Sequence, residues 1–189
     1  MARTSNLAQI SFFFSTAFLL PLIVGALISS VAVAKSDTIT GEPRVIDGDT
    51  IEVSGQKIRI HGVDAPESRQ TCQKGGMEWL CGQEASKAMR AIVGRSKVAC
   101  EAIDTDRYGR IVGRCVADGR DIGEALVSQG LALAYRRYSK DYVDAEAGAK
   151  ASKLGMWSGQ FVPPWDWRAG KRLNTAPAND NAACTIKGN

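Results

Sequence analysis

Charged residues of the types that grip phosphate and hard cations recur between positions 47 and 110. They are Asp47 and Asp49 in VIDGDT, Arg59, Asp64 and Glu67 in IRIHGVDAPES, and Arg107 and Arg110 in DRYGR. Each has a plain explanation when taken alone. Asp-Gly is a common turn step, and a carboxylate before Ala-Pro often caps a chain reversal. Together they mean more. A meander brings the start of one strand beside the end of its neighbour and can set Asp49 against Asp64. Two carboxylates at close range repel unless something positive lies between them. A hard divalent ion, calcium or magnesium, fits that place and accepts a backbone carbonyl as a further ligand; outside a cell calcium is favoured. Guanidinium forks match phosphate oxygens and stay charged at any working pH. A metal, two arginines and a spare carboxylate such as Glu67, able to take a proton from water or orient it, are the parts for phosphodiester hydrolysis.

The elements that must position these groups follow from periodicity. PRVIDGDTIEV and IRIHGV alternate apolar and polar residues around the SGQK turn, which predicts a three-stranded meander from Glu42. Residues 67–82 read as a loop. Ala85, Met89, Ile92 and Val93 share one helical face over 84–93, with Gly94 as the C-terminal stop. Two strands, 97–103 and 110–117, flank DTDRYG as an antiparallel pair. A helix over 121–129 and another over 140–154 come next, each ended by a glycine, Gly130 and Gly155. Five strands with a helix between the third and fourth and two helices after the fifth is the order of a small Greek-key barrel of the OB type, an α+β fold with three helices.

The chain of 189 residues divides into a leader at 1–34, a domain at 41–160, and an extension at 161–189. Residues 10–34 carry no charge, come after Arg3, and end on Ala32-Val33-Ala34. This is the pattern of a secretory signal peptide, although the apolar run is also long enough for an uncleaved anchor, which needs about 20 residues. Either exports the remainder of the chain, to the periplasm or the outside. The extension opens on FVPPWDWRAGKRLN, expected to drape over the barrel, and its polar end beyond Asn174 is expected to be disordered. With 24 basic and 20 acidic residues the net charge of +4 does not by itself indicate nucleic acid. Five cysteines in an exported chain read as disulfides. The expected pairs are Cys72–Cys81 and Cys100–Cys115, with Cys184 left over. One histidine, His61, and the cysteine spacing argue against zinc; His61 is given no role.

The ordered motifs VIDGDT, IRIHGVDAPES, GQEAS, DRYGR, EALVSQGLALAY and EAGAKASKLGMW, spread from Gly41 to Trp157, resemble the staphylococcal nuclease, or thermonuclease, family. The resemblance implies that Asp49, Asp64 and the carbonyl of Ala65 hold one calcium ion, that Arg59 and Arg110 are the phosphate-gripping arginines, and that Glu67 assists the attacking water. It further implies hydrolysis of DNA and RNA with little sequence preference, leaving 3′-phosphate ends, by a monomer with no obligate protein partner. Ala65 departs from the family, where threonine is common; a carbonyl ligand survives that change and a hydroxyl contact does not. Tyr108 and Tyr135 resemble the family's nucleotide-contacting tyrosines, where a ring stacks on a base, with packing on the barrel rim as the alternative. Arg136, Arg137 and Lys140 beside Tyr135 could track a phosphate backbone or be a solvated charge run. A catalytically inactive binding module of the same fold is the rival reading, and a calcium-stabilised structural domain leaves Arg59, Glu67 and Arg110 without a task.

Overall fold

The computed structural model describes residues 37–173. The leader, the end of the tail and Cys184 lie outside the described residues. In chain order the elements are β1 (Thr38–Gly41), β2 (Pro43–Val45), β3 (Thr50–Val53), β4 (Gln56–Ile60), β5 (Val63–Asp64), β6 (Cys72–Lys74), β7 (Met77–Trp79), α1 (Cys81–Val93), β8 (Val98–Thr105), β9 (Ile111–Ala117), β10 (Arg120–Asp121), α2 (Ile122–Ser128), β11 (Leu133–Ala134), α3 (Val143–Ala151), a 3₁₀ turn (Gly155–Ser158) and α4 (Pro164–Arg168).

The expected meander forms from β2, β3 and β4, antiparallel in turn. The expected hairpin forms from β8 and β9. These two units join through a parallel pairing of β4 with β9, which sets Ile58 against Ile111 and Arg59 against Val112. The sheet order β1-β8-β9-β4-β3-β2 then curls back on itself. Ser54, just past β3, donates from Oγ to the Thr40 carbonyl of β1 at 3.1 Å, so strands far apart in the order meet. This is the α+β, OB-like barrel expected, with short strands added at its margins.

The core is a consequence of the alternation. Ile51, Val53, Ile58 and Ile60 point inward, and α1 lays Ala85, Met89 and Val93 over them, all buried. Each large apolar side chain of this kind contributes roughly 1.5–3 kcal/mol by leaving water. Cys100 and Cys115 face each other directly in the β8–β9 register and are joined, and Cys72 is joined to Cys81, as expected.

Two readings need correction. Residues 67–82 are not all loop: β6 and β7 form a hairpin there, its turn made by Gly75 and Gly76 at φ 59° and 82°, which only glycine adopts without cost. A fourth helix, α4, lies in the extension, where prolines fix φ and suit a helix start.

Candidate active site

Strand register builds the site. Thr50 stands opposite Arg59 in the β3–β4 pair, and the Ile60 amide donates to the Asp49 carbonyl at 2.8 Å. Asp49 and Arg59 are therefore neighbours, though ten residues apart in sequence. β5 pairs with β11, Asp64 against Leu133, which brings Asp64 to the same end of the barrel.

Both aspartates are nearly sealed from solvent, Asp49 at 4% and Asp64 at 0% exposure. Arg59 lies between them. Its Nη1 donates to Asp49 Oδ1 at 3.1 Å, and its Nη2 stands 3.0 Å from Asp49 Oδ2 and 2.7 Å from Asp64 Oδ1. The Ala65 amide donates to Asp49 Oδ2 at 3.1 Å and Thr50 Oγ1 donates to Asp49 Oδ1 at 3.0 Å. Burial nonetheless pushes the Asp49 carboxyl up to about 6, against the pull of Arg59 and with a further push from Asp47. Asp64 is raised for the same first reason, burial, against its bond to Arg168.

Arg110 enters from the loop before β9. Its Nε donates to Asp106 Oδ2 at 2.8 Å and its Nη1 reaches Thr50 Oγ1 at 3.5 Å, so Thr50 links it to Asp49. Asp106 also accepts from the Tyr108 and Arg110 amides at 2.9 and 3.0 Å and so shapes the whole DRYGR turn. The aspartate that opens this motif is the signal in the sequence for its role, although residue types alone do not separate it from an ordinary turn aspartate.

Glu67 lies just beyond β5 in a tight turn. Its carbonyl accepts from the Gln70 amide at 2.7 Å, and its amide donates to Gln70 Oε1 at 3.2 Å. α1 presses on this turn, because a Cβ on Gly82 would fall 1.8 Å from the Glu67 carbonyl oxygen.

Arg168 of α4 completes the cluster, and nothing in the sequence marks it. Its Nη1 and Nη2 fork onto Asp64 Oδ1 and Oδ2 at 3.0 and 2.6 Å, and Nη1 also reaches Glu67 Oε1 at 2.9 Å.

The tyrosines differ. Tyr108 is 69% exposed, with Arg107 and Arg110 within 4.9 and 5.6 Å of its ring, so it does not pack on the barrel. Tyr135 is half-buried and stacks on Trp165, ring centres 5.5 Å apart and planes within 5°. Arg136 is tied to Glu146 at 2.6 Å, and Arg137 lies 5.9 Å from the Tyr138 ring.

Among the described residues no three histidine, cysteine or carboxylate side chains converge on one point. The donor chemistry still fits a hard divalent ion of the calcium kind. Asp49 and Asp64 offer buried oxygens close enough to share a single nitrogen of Arg59, so a cation between them is what they already hold.

An OB-like barrel with acidic and guanidinium groups gathered at one end is the class of protein defined here. The chain belongs to the family described as staphylococcal nuclease homologue, which matches residues 57–159. It is 36% identical over 160 residues to the succinoglycan biosynthesis protein ExoI of Rhizobium meliloti, covering 82% of this chain and 83% of that one. It is 36% identical over 133 residues to an uncharacterized endonuclease of Escherichia coli, covering 66% of this chain and 81% of that one. It is 31% identical over 132 residues to the rice protein named "Probable staphylococcal-like nuclease CAN1", covering 68% of this chain and 37% of that one. Family and relatives support a nuclease-like hydrolase. Asp49 and the extension lie outside the stretch that the family model matches.

Proposed function

We propose that the chain is an exported, calcium-dependent nuclease that hydrolyses DNA and RNA phosphodiesters with little sequence preference and leaves 3′-phosphate ends. The observation that carries this reading is the buried pair Asp49 and Asp64 around Arg59, with Glu67 and Arg110 at its rim. Asp49, Asp64 and the Ala65 carbonyl would hold the ion. When bound, it supplies positive charge to a phosphoryl oxygen and makes a water more acidic.

The rest falls to side chains. Arg59 and Arg110 supply guanidinium groups for the charge that grows on the phosphoryl oxygens; Arg110 is held in place beforehand by Asp106, which spares its reorganisation during reaction, while Arg59 would turn from Asp49 and Asp64 toward the phosphate as their oxygens go to the ion. Glu67, half-exposed beside Asp64, orients the attacking water and takes its proton, while the 5′ oxygen leaves. A grip on phosphates carries no base information, which accounts for low sequence preference. Tyr108, exposed between two arginines, offers a ring on which a base stacks. The uncharged leader at 10–34 and the two disulfides support export.

The test is cleavage of single-stranded DNA by the purified chain in calcium, in chelator, and with Glu67→Gln. Cutting in calcium alone and a loss of about a hundredfold or more in the variant are expected. Cutting that ignores the chelator removes the calcium assignment. Full activity in Glu67→Gln removes the role of that residue, and no cutting in calcium leaves the inactive binding module.

A further inference from the structure

The segment 161–172 makes contacts that the nuclease reading does not use. Arg168 occupies both oxygens of Asp64, and Asp64 Oδ1 is shared with Arg59. Arg168 also takes Glu67 Oε1. The carboxylate offered to an ion and the one offered to a water are thus joined by a single guanidinium from a helix about a hundred residues downstream in sequence. Paired, charge-assisted bonds of this kind are the strong ones among hydrogen bonds. Separately, Trp165 lies flat on Tyr135 and covers the ring face that a base would use.

The root of the segment is fixed by different contacts. Gln160 and Gln73 exchange backbone hydrogen bonds at 2.8 Å in both directions. The Val162 carbonyl accepts from the buried Gln70 side-chain amide at 2.6 Å, and Phe161 packs edge-on to Trp157 with ring centres 5.0 Å apart. Pro163 and Pro164 then stiffen the step into α4. A short, stiff arm is anchored at one end by burial. Its other end rests on ionic contacts that water reaches, since the Arg168 side chain is 39% exposed.

We propose that residues 161–172 form an internal strap in which Arg168, beside Arg59, holds the Asp64 oxygens that the divalent ion would take and ties up Glu67 where the water would lie, and Trp165 covers Tyr135, so that ion and polynucleotide bind by displacing it. The inference rests on the nuclease reading for what the site holds. A doubly charged ion competes for the Asp64 oxygens with a singly charged guanidinium. The released arm carries Arg168, Lys171 and Arg172, which a polyphosphate backbone attracts. Ion and substrate therefore favour the same open state, and each raises the affinity of the other.

Calcium binding by the whole mature chain, measured by calorimetry with tryptophan emission monitored in parallel, tests this in the parent, Arg168→Ala and Trp165→Ala. Arg168→Ala is expected to bind calcium about tenfold more tightly, the closed fraction having been lost. Trp165→Ala should shift affinity in the same direction by less. In the parent, calcium should change tryptophan emission as Trp165 leaves Tyr135, and in Arg168→Ala this change should shrink. Trp165→Ala keeps the test decisive if Arg168→Ala fails to fold by circular dichroism. Equal calcium affinity in parent and folded variants overturns the strap, as does absence of calcium binding in all three. Unchanged affinity with a fall in cutting by Arg168→Ala also overturns it. A chain that binds calcium more tightly without Arg168 yet cuts no DNA keeps the strap and loses the nuclease reading.

Discussion

Asp49 is almost wholly removed from water, and a carboxyl in that position keeps its proton to about 6 even with Arg59 against it. Its folded pKa thus lies above the ordinary value of about 4 for an unfolded aspartate. The stability it contributes is fully present below that ordinary value and is lost as pH rises through about 6. In chelator, the melting temperature of the parent should fall relative to Asp49→Asn between about pH 4 and 7. A difference that stays flat with pH would remove the assignment. That Asp49, Arg59, Asp64, Glu67 and Arg110 gather at one end of the barrel is legible in the sequence because they stand in motifs, and the β3–β4 register makes neighbours of residues ten apart. Arg168 is not, because its partners lie about a hundred residues earlier and an arginine between tryptophan and alanine has no spacing that points to them. Asp106 needs the turn geometry, in which one carboxylate takes two amides and a guanidinium.

At the scale of elements, α1 holds Glu67 in place through a contact of backbone on backbone. Gly82 sits where any Cβ would overlap the Glu67 carbonyl, and Gly82 also donates its amide to the Gln70 carbonyl at 3.2 Å. Gly82→Ala must therefore push the 67–70 turn outward. A loss of about 1–3 kcal/mol is expected from thermal melts, together with a fall in cleavage rate greater than the lost stability accounts for, read at a temperature where the variant is folded. A variant that cuts like the parent would show that Glu67 does not need this seat. α1 and α2 are legible from their periodic faces, α1 most clearly through Ala85, Met89 and Val93. The β6–β7 hairpin is not, because strands of three residues, CQK and MEW, are too short to show alternation. β1 is hidden for another reason: its partner, β8, lies some sixty residues on.

Over the whole molecule, barrel closure depends on β8 and β9, the strands that join β1 to the meander. The Cys100–Cys115 bridge joins facing residues of these strands toward the end away from their connecting loop and links residues 15 apart in sequence. Replacing both cysteines by serine should cost about 3 kcal/mol, measured by urea unfolding, chiefly by freeing the unfolded chain. A cost near zero would mean that the strands hold their register without it. The barrel class is legible because the order of strands and helices admits few closures. The parallel β4–β9 contact that completes it is a pairing between units, and no local pattern encodes it.

The second bridge has a different reach. Cys72–Cys81 fastens β6 to the start of α1, and β6 carries Gln73, whose backbone receives the root of the C-terminal arm. Cys100–Cys115 ties strands of the barrel to each other, whereas Cys72–Cys81 ties the small β6–β7 hairpin, and with it the root of the arm, to α1. One covalent link thus ties together, through β6, the start of the helix that seats Glu67 and the root of the segment whose Arg168 reaches Asp64.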